Sequence, residues 1–197
     1  MALFAVNTGC RDREVCRLRW SWEVAVPELD TGVFIIPGAF VKNKDDRLVV
    51  LNDVARSVVE TQRGRHPTHV FVFRGKPVAR MLNTGWKAAR AAAGLPQVRV
   101  HDLKHTLGRR LRAAGVSFED RQDLLGHRSG RVTTQYSAAE LANLLEAANR
   151  VCERDTGRPE LVVLRRPYAP GRSRGSEPCQ SPRCRAAIAA VRAGTSA

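Results

Sequence analysis

Between His101 and Tyr136 the chain reads HDLKHTLGRRLRAAGVSFEDRQDLLGHRSGRVTTQY, a stretch holding several side chains of the kinds that phosphodiester chemistry uses. His101, Lys104 and His105 stand three and four residues apart, a spacing that places them on one face of a helix. Leu103, Leu107 and Leu111 form a separate apolar stripe, so the polar stripe is expected to face a cleft. Ser117 and Asp120 read as a capping box opening the short helix SFEDRQDLL, which Gly126 closes. His127 then lies just past a helix C-terminus, where the dipole favours a protonated imidazole that can donate to a phosphate oxygen. Tyr136 follows nine residues later, ahead of a second capping box, Ser137 with Glu140, and the amphipathic run LANLLEAANRV. The tyrosine is therefore expected at a loop-to-helix junction. A phenol of ordinary pKa, about 10, needs a base or surrounding positive charge to act as a nucleophile. Arg109, Arg110, Arg128 and Arg131 offer that charge.

Each feature has a plainer alternative: a solvated basic helix face, a capping histidine, a core-anchoring aromatic. The two histidines of HDLKH have a zinc-ligand spacing, but the motif's glutamate is missing and no cysteine or acid nearby completes a set, so a metal site is set aside. What distinguishes the group is its order. An H-x-x-K, an L-G-H and a tyrosine nine residues on resemble the catalytic half of the tyrosine recombinases, the phage-integrase family, with Lys104 standing where that family has arginine. Upstream, TGCRDREVCRLRW at 8–20 resembles the family's T-G-x-R-x-x-E box.

The resemblance implies roles. Arg11 takes the place of the catalytic arginine, whose planar fork suits a phosphate in its charged transition state, and Glu14 that of the acid supporting it. It also implies a catalytic lysine on a β-hairpin. FIIPG and RLVVLN read as strands flanking AFVKNKDD, and counting back from Arg47 selects Lys42, with Lys44 as second choice. Tyr136 would attack a DNA phosphate to give a 3′-phosphotyrosyl link. Arg11, Lys104 and His127 would stabilise the transition state, His101 would assist proton transfer, and Lys42 would protonate the departing 5′-oxygen. Lys44, His105, Arg109, Arg110, Arg128 and Arg131 are expected against the DNA. The phosphotyrosyl bond conserves the energy of the phosphodiester, so no cofactor, ATP or metal is required. Lysine is a point donor where arginine is a fork. The site therefore either tolerates Lys104 or belongs to an impaired integrase remnant that only binds DNA. A type IB topoisomerase, with the same chemistry, is a more distant alternative.

Composition agrees with a DNA partner. With 33 Lys+Arg against 19 Asp+Glu the net charge is +14, the footprint of a polyanion binder. No segment reads as a signal peptide or a membrane span, and five cysteines without metal-site spacing read as reduced thiols in a cytoplasmic, nucleoid-associated protein.

The elements expected to position the site are a helix at about 11–22, two strands within 32–52, a helix at 53–63, a third strand at THVFVF and four further helices. Short connections make the small sheet antiparallel. The fold class is α+β and mainly helical, like the catalytic core of the DNA breaking-rejoining enzymes. Residues 1–153 are read as the catalytic domain and 154–197, rich in Arg, Pro, Gly and Ser, as a disordered basic tail. Tyr168 lies in that tail outside any motif. The resemblance further implies N-terminal DNA-binding domains, so the chain is expected to be N-terminally truncated, with a shortened opening helix. It also implies a homo-oligomer, a tetramer on DNA, for the full-length protein. The stripe Leu141, Leu144, Leu145 and Ala148 must be buried on its own domain or on a neighbouring protomer.

Overall fold

A computed structural model describes residues 1–127 and 136–152 of the chain. Arg128, Arg131, Tyr168, Cys179, Cys184 and the expected tail lie outside the described residues. Seven helices and five strands are formed among those described: α1 (Ala2–Thr8), α2 (Asp12–Cys16), β1 (Glu23–Val26), β2 (Thr31–Ile36), β3 (Arg47–Val50), α3 (Asp53–Glu60), β4 (Val72–Phe73), β5 (Lys76–Pro77), α4 (Thr84–Ala92), α5 (Val100–Ala113), α6 (Phe118–Leu125) and α7 (Ala138–Asn149).

The four expected later helices are present. Of the two expected capping boxes, Ser137 with Glu140 is reciprocal, whereas Ser117 makes the forward cap and the Asp120 carboxylate accepts from its hydroxyl at 2.7 Å in place of its amide. Ser117 Oγ accepts from the Asp120 amide at 3.0 Å and Ser137 Oγ from the Glu140 amide at 3.2 Å, so each hydroxyl satisfies an amide of the first turn that lacks a helical partner. The expected helix at 11–22 is shorter: α2 stops at Cys16 and Trp20–Trp22 is a 3-10 turn. Long-range backbone pairing overrides the local pattern there. The Val70 amide donates to the Leu18 carbonyl at 3.0 Å and the Trp20 amide to the Thr68 carbonyl at 3.1 Å, which draws the chain out of helical geometry.

The sheet is antiparallel, as expected, in the order β1-β2-β3. Its third member differs from the expectation. It is Glu23–Val26, whereas Val72–Phe73 of THVFVF pairs only with β5 in a separate two-stranded ribbon.

Strand β3 lies between two apolar cores. Alternation sends Val49 into one with Phe4, Val15, Leu18, Phe34 and Val59, and Val50 into the other with Leu107, Leu111, Leu124, Leu125 and Leu144. Helix α7 docks on its own domain. Leu144, Ala147 and Ala148 are buried and Leu145 packs beside them, which is one of the two expected outcomes for its stripe.

Asn52 joins three helices. It is fully buried at the N-cap of α3, accepts from the Ala55 amide at 2.9 Å and donates towards Asn7 Oδ1 (3.2 Å) and the Ala148 carbonyl (3.3 Å). Asn52→Ala removes the cap and leaves those buried acceptors short of a donor, so urea denaturation should show a loss of about 2–4 kcal/mol. A loss below about 0.5 kcal/mol would mean that the network is dispensable.

Candidate active site

Arg11 precedes the first turn of α2 in extended geometry, so its own amide and its guanidinium can both meet the side chain three residues on. The amide donates to Glu14 Oε2 at 2.7 Å and Nη1 to Oε1 at 2.9 Å. Glu14 is 2% exposed whereas the Arg11 side chain is 22% exposed. The acid is therefore the buried anchor and the arginine the group that reaches outward. Burial by itself would raise the Glu14 carboxyl. The guanidinium of Arg47 and the hydrogen bonds from Arg11 outweigh it and hold the group below the usual carboxylate range.

Arg47, the position from which Lys42 is counted, has a larger part than a landmark. It is buried, pairs through Nη1 with Glu14 Oε2 and donates from Nη2 to the Thr8 carbonyl at 3.2 Å. One signal for it exists in the sequence. Period-2 alternation in RLVVL puts Arg47 on the same side as Val49 and Leu51, an inward position for a charge.

Lys104 corrects the expected helix faces. It does not share a cleft-facing stripe with His101 and His105. It is 6% exposed and lines up with buried Leu107 and Leu111 at i, i+3 and i+7. The exposed rings of His101 and His105 meet edge-on at 4.7 Å on the neighbouring face. Lys104 Nζ donates to the Leu125 carbonyl at 2.5 Å, at the open C-terminal end of α6. Burial, then the positive charges of Arg47 and Arg11, bring the ammonium down to a pKa of about 8.

Gly126 follows that carbonyl in left-handed geometry, φ 57°, and closes α6 as expected. A Cβ there would also come within 2.6 Å of Arg47 Nε. His127 comes next, with its amide donating to the Gln122 carbonyl at 2.9 Å. The dipole was expected to favour its protonated form, and the net effect is opposite. Desolvation first, then the cations Lys104, Arg11 and Arg47, lower its pKa below the ordinary value. His101 is lowered likewise, by desolvation first and then by His105, Lys104 and Arg11. Both imidazoles are therefore neutral at neutral pH, each with one N–H and one lone pair.

Arg11, Glu14, Lys104 and His127 are thus drawn together around Arg47. Tyr136 stands half-buried just before the Ser137 cap of α7, packed against the core that α5 and α6 build. Lys42 and Lys44 are exposed on the loop between β2 and β3, whose base is tied by the Gly38 amide donating to Asp46 Oδ1 at 2.8 Å. His105 and Arg109 are exposed on α5. Arg110 is half-buried and donates to the Val151 carbonyl beyond α7, so its guanidinium is engaged within the domain.

A family model described as "Phage integrase family" matches residues 1–142. The integrase of Salmonella phage P22 is 30% identical over 161 residues, covering 75% of this chain and 41% of that protein. Tyrosine recombinase XerC of Rhizobium meliloti (strain 1021) is 33% identical over 118 residues, 55% of this chain and 37% of its own length. The protein of the same name from Syntrophus aciditrophicus (strain SB) is 27% identical over 168 residues, covering 72% and 53%. The chain thus spans from about a third to about half of the length of these relatives.

Proposed function

The chain belongs to the phage integrase family, and from that premise we propose that it supplies the catalytic domain for site-specific breakage and rejoining of double-stranded DNA through a 3′-phosphotyrosyl link to Tyr136. The observation that carries this reading is the convergence of Arg11, Lys104 and His127, from three separate helical segments, on the buried Glu14–Arg47 pair. A surplus of fixed cations and N–H donors with a single neutralising acid suits the charge that a pentacoordinate phosphate develops.

In the proposed step the Tyr136 oxygen bonds to phosphorus as the 5′-oxygen departs. The phenolic proton passes to the lone pair of His101, and the departing oxygen takes a proton from Lys42 on its exposed loop. Arg11 donates from the guanidinium nitrogens that Glu14 does not occupy. Lys104 and neutral His127 add one charged and one uncharged donor. A 5′-hydroxyl from a partner strand then reverses the step. Residues 1–153 form the catalytic domain in this reading, with 154–197 as a basic extension, and recombination runs in a tetramer on DNA.

Burial of Lys104 against the Leu125 carbonyl favours a second reading, a protein that binds DNA and cuts nothing. Duplexes enriched by binding to this chain, nicked just beyond the candidate phosphate, separate the two. A covalent adduct that survives denaturation supports recombination, and binding without any adduct supports the second reading. Under either, affinity should be dominated by phosphate contacts. For about six such contacts it should fall roughly 10³-fold between 50 and 200 mM salt. A salt-insensitive affinity would contradict both.

A further inference from the structure

Resting on the recombinase reading, we propose that Arg47 is a positioning residue for DNA cleavage: from the start of β3 it holds Arg11, through the shared carboxylate of Glu14, and the Gly126–His127 backbone in one arrangement. Three contacts of a single guanidinium carry this. Nη1 meets Glu14 Oε2, the oxygen that also takes the Arg11 amide. Nη2 reaches the Thr8 carbonyl, in the segment leading into Arg11. Nε lies against Gly126, so close that a Cβ at 126 would stand 2.6 Å from it, and among the described residues it has no hydrogen-bond partner.

Arg47 and Glu14 are each 2% exposed in their side chains. A buried carboxylate needs a partner. Without Arg47 the only guanidinium left on it is that of Arg11, whose fork turns inward to the carboxylate and away from a phosphate. With Arg47 in place, only one guanidinium nitrogen of Arg11 is engaged among the described residues. The two hydrogen bonds leave from separate nitrogens of one rigid plane while the third packs on Gly126, a span that the single nitrogen of a lysine does not cover. Arg47 also begins the strand that returns from the loop bearing Lys42 and Lys44, so the base of that loop is fastened to the same cluster.

The test uses the full 197-residue chain carrying Arg47→Met or Arg47→Lys, with three readouts: the His127 ring titration by NMR, single-turnover adduct formation on the selected nicked duplex, and duplex affinity. Arg47→Met should raise the His127 midpoint and slow adduct formation by about 100-fold, while affinity changes by less than about threefold. Arg47→Lys should keep the low midpoint and recover only part of the rate. An unchanged His127 midpoint in Arg47→Met, or adduct formation at the wild-type rate in either variant, overturns the proposal. If Arg47→Met does not fold, Arg47→Lys decides alone, since a full rate there shows that the fork is not needed. If wild type forms no adduct, the recombinase reading fails, and the His127 titration still decides whether Arg47 holds that histidine.

Discussion

Tyr136→Phe is expected to abolish the covalent protein–DNA adduct, lowering its formation by on the order of 10⁴-fold or more. Tyr168→Phe should leave it unchanged. The chain holds only these two tyrosines, so the pair of variants tests the assignment completely. Phenylalanine keeps the ring that packs half-buried against the α5–α6 core and removes only the hydroxyl. The fold should therefore lose no more than about 1 kcal/mol, which thermal unfolding can check. DNA affinity should barely move, because it comes from phosphate contacts of basic groups. An adduct that persists in Tyr136→Phe and disappears in Tyr168→Phe would move the nucleophile to residue 168.

Lys104→Met should separate stability from chemistry. Burial lowers the Lys104 pKa from its ordinary 10.5 to about 8, with Arg47 and Arg11 adding to the effect. The folded state therefore holds this proton less tightly than the unfolded chain. The resulting cost is fully present below pH 8 and is relieved as pH rises from about 8 to 10.5, a difference on the order of 3 kcal/mol. Methionine removes that cost along with one hydrogen bond to the Leu125 carbonyl, worth about 1 kcal/mol. Thermal stability at pH 7 should hold or rise, and the gain in stability between pH 8 and 10 that Lys104 contributes should vanish. Cleavage should move the other way, falling by about 10²–10³-fold as a preorganised charged donor is lost. Lys104→Ala should show the same loss, and Lys104→Arg should keep or raise the rate. In wild type the rate should decline as pH climbs above 8 and the ammonium deprotonates. Lys104→Met cleaving like wild type would remove this residue from the chemistry. An inactive wild type rescued by Lys104→Arg would identify the lysine as a disabling change.

What could be read from the sequence is what depends on neighbours within about four residues. Ser117 with Asp120 and Ser137 with Glu140 cap helices because the hydroxyl needs only an amide three positions on. Gly126 ends α6 because it alone tolerates the left-handed turn at little cost. Arg11 and Glu14 meet because one helical turn brings them together, and β2 and β3 were visible as apolar runs around a polar loop. The family resemblance added Arg11, His101, Lys104, His127 and Tyr136 as an expected set, of which Arg11, Lys104 and His127 lie near the Glu14–Arg47 pair.

The rest belonged to tertiary structure. The helix expected through residue 22 gives way because the backbone at 18–20 pairs with 68–70, some fifty residues away, and no local propensity records that partner. Lys104 turns inward because the Leu125 carbonyl waits there, a contact that helical spacing cannot foretell. His127 is lowered because desolvation first, and then the cations Lys104, Arg11 and Arg47, outweigh the helix dipole. Arg47 became the hub only once β3 was placed between two cores. Hydrogen bonds close a turn locally, whereas desolvation and charge pairing are set by whatever the fold brings near, and that is where the electrostatics of this site were decided.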